Sequence, residues 1–323
     1  MNSILLALLI FVAVGVGLGL VSLLMEALRR KPNPPAALRW APSIPIQTIE
    51  IDGTKLRYIK TGKGPVLVLL HTLRTQLDLF EKVVPELSKH FIVYALDYPG
   101  HGYSDIPRAR YDAAFFTRAV ERFLNKLDLR DVTLAGVSIG GSIALIIAAQ
   151  RNSRIARVVS INPYDYAKGR GMGRAGLFGA FVTYASLPPL IGETVMRLRN
   201  SLIMNAVLRG GVANPDSIPP ALLKEMYLVG NRPGHYRGFL SLLRNSESWE
   251  ASTKEYGRIE IPVLLIWGDQ DWARPVEREH DRMLIPGVDM IPVAGGGHFL
   301  PLDRPRELTD AIIRFAARSP IRA

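Results

Sequence analysis

Residues 132–149, VTLAGVSIGGSIALIIAA, constrain this chain more than any other stretch. They open as a short apolar, β-leaning run over 132–135, pass through Gly136-Val137-Ser138-Ile139-Gly140, and continue from Gly141 as an apolar, helix-compatible run. Strand, sharp turn and helix, with serine at the corner, is the context in which a G-x-S-x-G pattern acts as a nucleophile elbow. The corner holds the serine in a strained backbone conformation and lifts its hydroxyl above the sheet. Glycines two residues to either side let strand and helix approach closely. The helix N-terminus offers free N–H groups and the positive end of a dipole to a developing oxyanion. A pattern with three defined positions also recurs by chance, so partner residues downstream have to decide whether Ser138 is a nucleophile.

The chain has 323 residues, 48% of them hydrophobic, enough for a large core. It contains no cysteine, which excludes disulfides, thiolate nucleophiles and cysteine metal sites. The formal net charge of +11 points to an anionic neighbour. Without a base-stacking aromatic motif or a long lysine run, the expected neighbour is a membrane surface and not a nucleic acid.

Residues 4–25, ILLALLIFVAVGVGLGLVSLLM, carry no charge. At about 1.5 Å per residue this run covers the roughly 30 Å hydrocarbon core of a bilayer. A cleaved signal peptide would have a basic start, a shorter apolar run and a small-residue cleavage site. Met1-Asn2-Ser3 is uncharged, and the run ends in Glu26-Ala27-Leu28-Arg29-Arg30-Lys31. An uncleaved single-pass anchor over residues 1–31 is expected. The basic flank places the catalytic domain in the cytoplasm by the positive-inside rule. Residues 32–45 form a proline-rich linker. Its Trp40 sits either at headgroup level or against the folded domain.

From residue 46 the pattern alternates between strands and helices. Runs at 46–51 and 55–60 are joined by Asp52-Gly53, a hairpin signal. Apolar runs at 66–71, 91–96, 158–161, 263–267 and 289–293 read as strands, with helical spacing over 75–89, 111–127 and 305–317. Such alternation implies an α/β fold with a mostly parallel sheet. It breaks between residues 163 and 256, where helices are expected at 193–209 and 220–228. The expected organisation is a core of residues 46–162 and 257–323, with a helical cap at 163–256. An insertion there lies at the C-terminal edge of the strands, where open α/β sheets bind ligands. The cap cations Lys168, Arg170, Arg174, Arg197, Arg199 and Arg209 are expected on its surface, either leaning on anionic lipid or simply solvated.

A serine hydroxyl needs a base, and that base needs an orienting carboxylate. Of six histidines, His298 follows a late strand within Gly295-Gly296-Gly297-His298, a loop able to swing a side chain over the sheet edge. Asp269 and Asp271 directly follow the strand at 263–267. The chain order Ser, Asp, His is complete.

With VLVLLH, DYPGHGYSD, GVSIGG, IWGDQDWARP and GGGHFLPLDRP in order, the chain resembles the α/β-hydrolase family from about residue 46 to 317. The resemblance implies nucleophile Ser138, base His298 and acid Asp271, through a G-x-x-D-x-x-x-P pattern at Gly268, Asp271 and Pro275. Asp269 is the runner-up for the acid, with a turn role as its plainer reading. The oxyanion hole falls on the N–H groups of Ile139 and Leu73. His71-Thr72 stands where the family has His-Gly, so the loop is expected to be reshaped. Arg74 and Gln76 there either contact substrate or are simply solvated or loop-bracing residues. His71, His101 and Asp97 are expected to be structural.

Dehalogenases and epoxide hydrolases of this family carry aspartate at the elbow, so serine points to acyl transfer: an ester, lipid ester or thioester of apolar character. No cofactor and no metal are implied. The alternatives are a non-catalytic, membrane-tethered scaffold on the same fold and a cofactor-free haloperoxidase-like member.

Overall fold

The computed structural model describes residues 3–318. Residues 1–2 of the expected anchor and 319–323 of the expected core lie outside the described residues. Eight strands form one sheet in the order β1-β2-β4-β3-β5-β6-β7-β8. They are β1 (Ile46–Ile51), β2 (Thr54–Gly62), β3 (Val66–Leu70), β4 (Ile92–Leu96), β5 (Val132–Val137), β6 (Ile155–Ile161), β7 (Val263–Gly268) and β8 (Asp289–Val293). β2 runs antiparallel to both β1 and β4, and the other neighbours are parallel. Asp52 and Gly53 turn the β1–β2 hairpin, both at positive φ (51° and 73°), the twist that matches paired strands.

The central strands are apolar on both faces because helices cover both. Alternate residues part accordingly. Val68, Leu70, Leu134 and Val158 pack with Phe116 and Phe123 of α3 (Ala113–Lys126) and Ile143 of α4 (Ile139–Ala149). Leu67, Leu69, Ala135 and Val159 pack on the opposite face. There they meet Leu87 of α2 (Val84–Leu87) and Leu308, Ile312 and Phe315 of α13 (Pro305–Arg318).

Between β6 and β7 the chain builds α5 (Leu177–Ala185), α6 (Ile191–Arg197), α7 (Ser201–Arg209), α8 (Pro220–Val229), α9 (His235–Arg244) and α10 (Glu247–Ala251). After β7 come α11 (Pro275–Leu284) and, after β8, the single turn α12 (Leu300–Asp303) ahead of α13. At the N-terminus, α1 (Ser3–Ala27) is long and apolar enough to cross a membrane, and its central window is unburied. It packs against α6.

Two expected helices are divided. Over residues 75–89 there is a 3₁₀ turn, Leu77–Phe80, and then α2. Pro85 lacks an N–H and is accommodated in the first turn of a new helix, not in the middle of a long one. Residues 193–209 divide into α6 and α7, because the Asn200 side chain accepts from the Ile203 amide (3.0 Å) and starts α7 afresh.

Candidate active site

β5 ends at Val137 and α4 begins at Ile139, so Ser138 alone makes the corner. Its backbone sits at φ 59°, ψ −120°, a region that costs a non-glycine residue free energy and persists only where the surroundings over-determine it. The surroundings do so here. The Ser138 amide donates to Ile161 O of β6 (2.8 Å), and Ser138 O accepts from the Ser142 amide (3.0 Å). A Cβ on Gly136 would lie 2.1 Å from Gly140 O, and one on Gly140 would lie 2.3 Å from Leu70 O. Strand and helix therefore close on each other only with glycine at both positions. Ser138 is fully buried, and its Oγ has no hydrogen-bond partner among the described residues.

The amides of Ile139 and Leu73 are likewise without a hydrogen bond among the described residues. Leu73 lies in the loop after β3, where Thr72 replaces the expected glycine. Thr72 O accepts from the Thr75 amide (3.3 Å) and hydroxyl (2.9 Å) and contacts His71 Nδ1 (2.8 Å). The loop forms a turn whose left-handed residue is Arg74, at φ 61°.

His298 Nδ1 lies 2.6 Å from Asp271 Oδ2, and Asp271 Oδ1 accepts from the Ala273 amide (2.8 Å). With Nδ1–H facing the carboxylate, Nε2 is left as the proton-accepting nitrogen. That atom is buried and has no partner among the described residues. Asp269 points away: its Oδ1 accepts from the Gly295 amide (2.8 Å) and braces the glycine loop. Of the two carboxylates that follow β7, only Asp271 meets His298.

Two supporting residues were not singled out from the sequence. Asn162 ends β6 at φ 45°. Its amide nitrogen donates to Gly297 O (3.0 Å) and His298 O (3.1 Å), while its oxygen accepts from the Gly268 amide (2.8 Å). One side chain thus ties the ends of β6 and β7 to the histidine loop. An asparagine directly after an apolar strand and before a proline was the available signal, since asparagine tolerates the left-handed region. Trp272 stacks on the His298 ring, with centroids 3.8 Å apart and planes 17° from parallel. Its Nε1 donates to Gly210 O in the cap (2.9 Å).

His71, His101, Asp97 and Gln76, the other polar groups expected near the site, are neutral or braced. His71 accepts from the Tyr98 amide at Nε2 (3.2 Å), and burial holds it well below the usual histidine range. Burial likewise brings His101 down to about 4. Asp97 accepts from the amides of Leu77 (2.7 Å) and Tyr103 (2.8 Å) and pairs with Arg57. Gln76 donates to Asp78 (2.7 Å) and Glu225 (3.2 Å), which is bracing. Trp40 donates to Asp78 (2.8 Å), so it packs on the domain. Among the described residues no group of three or more His, Asp or Glu side chains is arranged to hold a metal ion.

The cap closes over the site. Phe299 N donates to Gly211 O (2.6 Å), and Asp303 accepts from both Ala213 N and Gly297 N (2.8 Å each). The cavity against His298, walled by Leu73, Arg74, Met172, Trp272 and Phe299, measures about 10 Å³, room for a single water. A larger hollow of about 660 Å³, between Tyr166, Glu247 and Met283, includes neither Ser138 nor His298.

The model of the alpha/beta hydrolase fold family matches residues 65–191, from β3 into the cap. A haloalkane dehalogenase of Mycobacterium marinum is 30% identical over 272 residues, spanning 80% of this chain and 88% of that one. The chain belongs to the α/β-hydrolase fold family. An uncharacterized protein of Mycobacterium tuberculosis is 27% identical over 283 residues, 84% of this chain and 80% of that one. Among solved structures, a bacterial membrane phospholipase A superposes with a TM-score of 0.67 at 22% identity, covering 99% of both chains.

Proposed function

We propose that this α/β hydrolase is a membrane-anchored serine hydrolase that cleaves an ester-type bond through Ser138, His298 and Asp271. The observation that carries the reading is the pair of buried, unpartnered atoms at one sheet edge. Ser138 Oγ is held at a strained corner, and His298 Nε2 is oriented through a 2.6 Å contact to Asp271. His298 Nε2 takes the Ser138 proton as Oγ attacks the carbonyl carbon. The oxyanion is received by the free N–H groups of Ile139 and Leu73. Collapse expels the alcohol or thiol, which takes the proton from His298. A water, deprotonated by the same nitrogen, then releases the acid and restores Ser138.

Of the described residues, 46–162 and 257–318 serve as the core and 163–256 as its cap. α1 is read as a single-pass anchor, with the exposed Arg30 and Lys31 on the cytoplasmic side. Beside it the cap exposes Leu177, Phe178, Phe181, Tyr184, Leu190 and Leu202, a surface suited to the interfacial region of a bilayer. That surface favours a lipid-derived or other apolar ester.

The sealed site favours a second reading, a tethered, non-catalytic member of the fold. Labelling the detergent-solubilised full chain with a fluorophosphonate separates the two. Label on the wild type and none on Ser138→Ala is expected; an unlabelled, well-folded wild type would move the scaffold reading ahead.

A further inference from the structure

The described residues include four buried arginines, and three of them have a hydrogen-bond or ion-pair partner, although the Nε atoms of Arg57 and Arg157 do not. Arg57 pairs with Asp78 and Asp97. Arg157 donates to Ala316 O (3.0 Å). Arg199 pairs with Glu26 and donates to the carbonyls of Met196 and Gly230. Arg74, 7% exposed, makes no hydrogen bond and no ion pair among the described residues. Its guanidinium carbon lies 5.0 Å over the Phe239 ring, and its Nη2 stands 3.0 Å from where a Cβ on Gly230 would lie, beside the C-terminal end of α8. Ring face and helix C-terminus both favour a cation, but neither supplies a hydrogen-bond acceptor in the plane of the fork. Its charged neighbour is another cation, Arg199, and burial with that repulsion brings Arg74 down to about 9, still charged at neutral pH.

Three further features mark the position. Arg74 holds a left-handed backbone, φ 61°, which a side chain of its size adopts only under constraint. It directly follows Leu73, whose amide is a candidate oxyanion donor, and it lines the same small cavity as His298. His235, four residues before Phe239 on the same face of α9, is buried with Nδ1 unpartnered, and Arg74 is among the charges that act on it. A buried guanidinium and a buried neutral imidazole, whose Nδ1 donates in one of its two tautomers, are both unpartnered among the described residues and together form an incomplete anion site.

We infer that Arg74, with His235 beside it, recognises an anionic group of the substrate, so that the preferred ester carries a carboxylate or phosphate near its scissile carbonyl. The inference rests on the reading of Ser138 as the nucleophile. The planar fork suits bidentate binding of either oxyanion, and the buried setting makes the loss of that partner costly. The anion comes either from a soluble acid or from a lipid headgroup, and the same oxygen chemistry serves both.

The test uses the full chain in detergent and two matched substrate pairs. Mono-p-nitrophenyl adipate against p-nitrophenyl hexanoate places the anion on the acyl side. Lauroyl lysophosphatidate against monolaurin places a phosphate on the alcohol side. In at least one pair the wild type is expected to favour the anionic ester at least about tenfold in kcat/KM, chiefly through KM. Which pair shows it identifies soluble acid or lipid. That ratio, taken within each variant, is expected to collapse towards one in Arg74→Met and to be partly kept in Arg74→Lys. A wild-type ratio of one or less in both pairs overturns the inference, whether or not the variants fold. An unchanged ratio in Arg74→Met also overturns it. Turnover of the neutral esters that disappears in Ser138→Ala keeps the hydrolase reading intact in either event. If no ester is turned over, thermal stabilisation by octyl phosphate against octanol decides. A rise in Tm specific to octyl phosphate and lost in Arg74→Met supports the subsite, and equal shifts overturn it.

Discussion

The sheet edge and the cap hold their residues in opposite ways. At the edge the backbone does the positioning. Gly136 and Gly140 admit a strand–helix contact that any Cβ would block, Ser138 is forced to φ 59°, and Asn162 binds two loops through three short hydrogen bonds. In the cap, long cations do it. Arg174 forks onto Glu277 and reaches Trp272 O, Arg199 gathers Glu26 and two carbonyls, and Arg244 joins Glu193 to the carbonyls of Leu187 and Pro188. Steric contacts of backbone have no nearby alternative, whereas a guanidinium on a flexible stem exchanges one acceptor for another, or for water. With room for one water, the site as it stands is closed to a larger molecule, and the contacts that close it on the cap side are ones with alternative partners.

The largest expected effect tests the edge. Asp271→Asn should cut ester turnover by about 10³–10⁴-fold, because the imidazole loses its orienting carboxylate. Asp269→Asn, which alters a side chain that accepts from Gly295 N and does not meet His298, should cost less than about tenfold in turnover. Steady-state kcat for both decides it, and equal losses would mean that the glycine loop, not the carboxylate, is what matters.

A smaller effect tests the cap. Arg174→Met removes a part-exposed ion pair and the contact to Trp272 O. Such pairs contribute roughly 0.2–1 kcal/mol, so fluorophosphonate should label Ser138 up to about fivefold faster as the cap loosens. An unchanged labelling rate would show that the cap does not limit access.

The smallest effect lies at the seam between the two regions. Glu225 of α8 faces Gln76 and Asp78 of the core, and burial, reinforced by the Asp78 charge, pushes its carboxyl up to about 7. A raised carboxyl means that the folded state holds the proton more tightly than the unfolded chain does. Stability is therefore highest below the ordinary carboxylate range and falls as pH rises towards about 7. Glu225→Gln should flatten the Tm–pH curve over that window by a few degrees at most. A curve of unchanged slope would locate the titration elsewhere.

What could be read from the residues in order was the part set by local rules. An apolar run without alternation gives a doubly covered strand, Asp52-Gly53 gives a hairpin, and G-x-S-x-G between strand and helix gives the elbow. The family's spacing favours Asp271 over Asp269, and the two carboxylates have different partners, His298 for one and Gly295 N for the other. The expected helices over 75–89 and 193–209 failed where a proline and a capping asparagine opened new helices inside an unbroken apolar pattern. The charges were the hardest to place. Arg74 and Arg199 look like solvated cations in a linear reading, yet both are buried: one among acceptors from α1, α6 and α8, the other facing none. Periodicity and turn chemistry are short-range, so the chain by itself determined the strands, the elbow and the order of its candidate acid and base. Burial and partnering of a long cation depend on segments over a hundred residues away, as with Arg199 and Glu26, so only the tertiary structure decided which buried arginines meet an acceptor and which one, Arg74, meets none among the described residues.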